Sequence, residues 1–166
     1  MIRYSLLVSL AAAAALAAPP EQAARGEALF HGDAKCGTCH ALKGKGTAIG
    51  PDLKVIARLS PQAIVMAIRS TRTQYVQAVK PKKGEEFPAM VVSKDDKAVK
   101  LFDLSVMPPA EKTMEPAEIS GMRDNDKWKH PPSTGGLTAE QMADVIAYVR
   151  YAATGDTKGV DPATVQ

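Results

Sequence analysis

Both cysteines of the chain sit in one short stretch, Cys36-Gly37-Thr38-Cys39-His40. This is the C-x-x-C-H pattern by which a haem is tethered covalently. Two thiols three residues apart on a tight helical turn reach the two vinyl groups on one haem edge and form thioethers. His40 follows at once and is carried beneath the macrocycle, where a ring nitrogen can bind the iron. Gly37 and Thr38 are small, so the turn can lie close to the porphyrin. A chain built this way has part of its core filled by something other than side chains. Its few aromatics, three Phe, four Tyr and one Trp among 166 residues, fit that expectation.

Three other uses of the motif compete. A thiol-disulfide exchange pair needs a preceding strand and a βαβ setting, whereas Ala23 to Phe30 reads as a helix. A structural zinc site needs four ligands, and the chain has two Cys with no second close His pair. A disulfide across so short a loop stabilises little.

The N-terminus reads as an export signal. Arg3 gives a positive start, Ser5 to Ala18 form an apolar run, and Ala15 and Ala17 are small residues placed for cleavage after Ala17. An uncleaved anchor is the alternative, but a bilayer needs about 20 apolar residues. Export puts the mature protein in the periplasm, an oxidising compartment where two cysteines are paired or used covalently. Losing Arg3 lowers the formal charge from +3 to +2. Neither a basic face nor an aromatic-rich basic stretch is present for nucleic acid. Membrane contact is expected only through a partner.

At this length one domain is expected. Ser60 and Pro61 read as the cap and first residue of a helix, with Ala63, Ile64, Ala67 and Ile68 on its apolar face. Thr71 to Gln74 reads as a turn. Val76, Ala78 and Val79, then Phe87 to Val92, then Ala98 to Leu104, read as short strands. Lys82-Lys83-Gly84 and Ser93 to Lys97 separate them. Pro88 is expected on an edge strand or bulge. Met107 to Pro132 reads as loop. A last helix starts at Thr138, with Gln141 completing a capping box, and carries Met142, Val145, Ile146 and Val149 inward. Gly155 closes it.

The chain resembles the single-haem cytochrome c family in two stretches. The first is Ala24-Arg25-Gly26-Glu27-Ala28-Leu29-Phe30, the Cys36–His40 motif, and Gly50-Pro51-Asp52-Leu53. The second runs from Leu137 to Arg150. The resemblance implies an N-terminal helix crossing a C-terminal one near Phe30 and Tyr148, and one covalent haem c. It also implies that the Pro51 carbonyl holds the Nδ1–H of His40. Between Pro51 and the last helix lie about 85 residues, more than a minimal member requires. This looks similar to a larger haem-binding variant with an inserted β element, found with bacterial dehydrogenases. The expected fold is therefore mainly α, a helical domain around one haem with a small antiparallel β insertion. Its parts are a signal peptide at 1–17, the domain at 18–155 with the insertion at about 75–105, and a loose tail at 156–166.

In the family the distal iron ligand is commonly Met, on a loop shortly before the C-terminal helix. At that place this sequence has Lys129-His130-Pro131-Pro132. His130 is the expected distal ligand, with an exposed loop histidine as its alternative. Met107, in Met107-Pro108-Pro109, is the other candidate ligand, and Met122 a weaker one. Met66 and Met142 are expected in the core, His31 on the surface, and Trp128 at the haem edge, on a propionate or as a loop anchor. The expected function is electron transfer, as a free carrier or a dehydrogenase subunit serving redox partner proteins, and not enzymatic. A five-coordinate haem binding a gas or peroxide is the alternative.

Overall fold

The computed structural model describes residues 19–69, 75–131 and 136–166. The expected signal segment and the turn at Thr71 to Gln74 lie outside the described residues.

Among the described residues, three α-helices form one side: α1 (Glu21–His31), α2 (Pro61–Arg69) and α3 (Ala139–Thr154). Helix α1 buries Ala23, Gly26 and Phe30 at helical spacing. Gly26 is the crossing point, because a Cβ there would run into the backbone of Asp144 and the Cβ of Tyr148. Phe30 and Tyr148 then meet edge to face, centroids 5.4 Å apart. Above them Arg25 grips the Asp144 carboxylate with two bonds of 2.9 Å. Thr138 and Gln141 cap α3 reciprocally, and Gly155 ends it in the left-handed region at φ 75°. Ser60 Oγ accepts the Ala63 N–H at the start of α2.

Five antiparallel strands among the described residues form the other side: β1 (Val76–Pro81), β2 (Phe87–Lys94), β3 (Val99–Asp103), β4 (Ala110–Met114) and β5 (Ile119–Asp124). Their order is β4-β3-β2-β1-β5. The edge strands β4 and β5 are thus joined by residues 115–118 alone, three of them in a 3₁₀ turn. Four strand spacings in a flat sheet come to about 19 Å, whereas this link reaches about 13 Å. The sheet must therefore curl, and it does so around a core of its own made by Val79, Ala89, Val99 and Leu101, all fully buried.

A mainly α fold with a small insertion is therefore incorrect. Helix takes up 35% and strand 23% of the structure, which makes it mixed. The sheet runs from Val76 to Asp124 rather than stopping near residue 105, because β4 and β5 replace the expected loop. Glu111, Lys112, Thr113, Ser120 and Arg123 fill these edge strands and are exposed, as edge strands commonly are, so apolar alternation does not mark them. Pro88 pairs with Ala78 near the start of β2, an interior strand, not an edge. The tail is not loose. Val160 and Val165 are buried, and the Val160 backbone exchanges two hydrogen bonds with the Gln22 side chain.

Candidate functional site

A cavity of about 980 Å³ lies where the helices and the sheet meet, at the upper end of the size range for cofactor sites. Its walls are mostly apolar. Helix α2 contributes Ile64 and Ile68, α3 Met142, Val145 and Val149, and the sheet Val76 and Met90, an adjacent cross-strand pair. These two project from the face opposite the sheet's own core.

Cys36, Cys39 and His40 enter the cavity wall together from one short turn. Residues 36–38 form a single 3₁₀ turn, so the two thiols project to the same side. They are not joined to each other. Burial pushes the Cys36 thiol up to about 11 and raises Cys39 as well. The following loop straps the turn down: Thr47 N–H donates to Gly37 O, and Ile49 and Gly50 N–H both donate to Cys39 O. Gly50 is a site residue that motif reading passes over. A Cβ there would strike the His40 ring, so only glycine lets the imidazole lie so close to the strand of loop beside it.

His40 Nδ1 is 3.0 Å from the Pro51 carbonyl. A carbonyl only accepts, so Nδ1 carries the proton and Nε2 keeps its lone pair. Burial lowers the pKa of the ring, with the Pro51 bond opposing it. A second imidazole stands close by. His130 also lines the cavity, its ring centroid 6.2 Å from that of His40 and its plane 19° away. Burial first, and His40 second, push its pKa down to about 4, so it is neutral at physiological pH. Its Nδ1 is buried without a hydrogen-bond partner among the described residues. Trp128 stands edge-on to the His130 ring, 6.1 Å between centroids and 76° between planes.

The remaining candidates separate cleanly. Met107 lines the same cavity, half-exposed. Met122 packs against the sheet core instead. Met142 is buried in the cavity wall, while Met66 is 74% exposed and not a core residue. His31 is exposed at the end of α1, with Nε2 3.2 Å from the Tyr148 hydroxyl. The segment before the cysteines is helix α1, so the strand that a thiol-exchange motif needs is not there.

The family model described as Cytochrome c matches residues 23–103. The chain carries a cytochrome c domain. Such a domain implies a covalently bound c-type haem, and Cys36 and Cys39 are positioned to attach it. The residues fit the group: two half-buried thiols on one edge, a fixed imidazole beside them, and apolar walls around a space large enough for a macrocycle. Cytochrome c domains serve haem-based electron transfer, typically as carriers and commonly outside the cytoplasm. The match ends at Asp103, so β4, β5, the segment bearing His130, and α3 lie beyond it. No curated protein matches the chain. Among the described residues, no helix is long and apolar enough to cross a membrane.

Proposed function

We propose that this cytochrome is an exported electron carrier that holds one haem between His40 and His130. The observation carrying this reading is the 6.2 Å separation of two nearly parallel imidazoles inside one apolar cavity. Two metal–imidazole bonds of about 2 Å each, added to the reach of each nitrogen from its ring centre, come to about the same distance. A bound haem supplies a one-electron couple. Cys36 and Cys39 would hold it by thioethers, and Pro51 keeps the His40 lone pair on Nε2. Burial keeps His130 neutral and therefore able to bind metal. Imidazoles on both sides leave no open position for a gas or peroxide. Asp52 is the one carboxylate among the described lining residues, and its Oδ1 already accepts the Lys54 N–H. Both points favour a carrier over an enzyme. The apolar run from Ser5 to Ala18 supports a periplasmic location, where redox proteins are the partners, with the carrier either free or a dehydrogenase subunit.

The test is the visible to near-infrared spectrum of protein matured with haem, wild type beside His130→Ala. The expected result is a low-spin wild type without a sulfur-to-iron charge-transfer band, and a high-spin variant. A wild type that shows that band, unchanged by the substitution, overturns the His130 assignment. It transfers the distal role to a methionine, and Met107 is the first of those in the cavity wall to test.

A further inference from the structure

A histidine on a loop rotates about χ1 and χ2 unless its neighbours stop it. For His130 no hydrogen bond to Nδ1 does so among the described residues. Among the described residues its aromatic ring contacts are with two neighbours, the His40 ring and the Trp128 indole. The indole stands at 76° to the imidazole plane and 6.1 Å away, the edge-to-face arrangement that aromatic pairs favour. An imidazole turning about its own long axis would leave that arrangement, so the indole acts as a stop.

The stop is itself anchored. Asn125 N–H donates to Val76 O at 2.9 Å, just past the end of β5. Lys127 N–H then donates to Asn125 Oδ1, and Trp128 N–H to Asn125 O. Val76 is buried at the start of β1, the strand between β2 and β5. A chain of backbone bonds therefore runs from the interior of the sheet to the Trp128 backbone, and the indole meets the imidazole two residues on.

We infer that Trp128 is the positioning residue that fixes the plane of the distal imidazole, and so keeps it nearly parallel to His40. This rests on the ligation proposed above. The orientation has an electronic consequence, because each imidazole donates π density into the iron d orbital that its plane selects. Parallel planes act on the same orbital and split the d levels strongly. Planes turned apart act on different orbitals and split them weakly.

Electron paramagnetic resonance of the oxidised, haem-loaded protein at low temperature reads that splitting. The wild type is expected to give a rhombic low-spin spectrum of near-parallel imidazoles. In Trp128→Ala the largest g value is expected to rise and its line to broaden, while both imidazoles stay bound. Trp128→Phe, which keeps an aromatic edge in place, is expected to restore the wild-type signal. If Trp128→Ala accumulates no haem-loaded protein, Trp128→Leu carries the same comparison, since it keeps apolar bulk without a ring. A bis-imidazole wild type whose spectrum the Ala or Leu variant leaves unchanged overturns the positioning role and leaves the ligation standing. The same holds if the wild type already shows the large g value of crossed planes. A wild type with a sulfur-to-iron band, or a high-spin one, overturns the ligation and the positioning role with it.

Discussion

Asp103 shows how much a single buried carboxylate depends on its surroundings. It closes β3 almost fully buried, with Lys112 at 2.6 Å and the Ser105 hydroxyl and N–H at 2.6 and 2.8 Å. Burial alone would raise its pKa, but these partners outweigh burial and hold it below the usual carboxylate range. As pH falls, the unfolded chain takes up this proton before the folded one does. The stabilisation is thus complete above about pH 4 and is lost below it. Asp103→Asn is expected to cost about 1–3 kcal/mol at neutral pH and to flatten the fall in melting temperature below pH 4, measured on the haem-loaded protein from pH 3 to 7. An unchanged acid limb would show that other carboxylates carry it. At the same scale, the motif itself made Cys36, Cys39 and His40 legible. His130 was singled out because imidazole binds iron and the other two His sit beside the attachment turn; its place in the cavity wall agrees with that choice, and its ligation is the proposal made above. The closeness of Gly50 to the His40 ring and the edge-to-face Trp128 contact were not legible, since each depends on how a loop folds locally and leaves no mark on composition or spacing.

Among the elements, the helices were readable because their ends carry chemistry. Ser60-Pro61, the Thr138–Gln141 box and Gly155 are local signals, and local signals survive folding. Strands β1 to β3 were readable from their apolar runs. Strands β4 and β5 were not, because pairing across a curled sheet, and not their own composition, makes Ala110–Met114 and Ile119–Asp124 extended. The tail was misread for a similar reason: Val160 and Val165 find their pocket only once α2 and α3 are packed. The helix crossing gives the prediction at this scale. Gly26→Ala gains about 1 kcal/mol of helix propensity, yet its methyl must push the backbone of Asp144 away. The net loss is expected to be at least about 2 kcal/mol, read as a lower denaturant midpoint of the haem-loaded protein. A neutral or stabilising result would mean that α1 and α3 slide apart freely.

For the whole molecule, the position of the cavity divides the core in two. The clusters around Phe30, Ile64, Val145 and Met142 face the haem space, whereas the cluster of Val79, Ala89, Val99 and Leu101 contributes nothing to its wall. Without haem the helices border about 980 Å³ of unfilled apolar volume, while the sheet keeps its contacts. A Cys36→Ala/Cys39→Ala chain purified without haem is expected to lose slow hydrogen exchange in α1 and α3 yet keep it in β1 to β3. Uniform loss would show that the sheet depends on the helices.

The proposed ligands come from these two halves, His40 from the helical side and His130 from just past the sheet. A bond from iron to His130 would then close a ring of roughly 90 residues. By the chain-entropy treatment of cross-links, a ring of that size restricts the unfolded chain by about 4–5 kcal/mol, comparable to a long-range disulfide. The distal ligand would in this sense be a clasp on the polypeptide. A small competing ligand that displaces His130 would then loosen the fold as well as retune the iron.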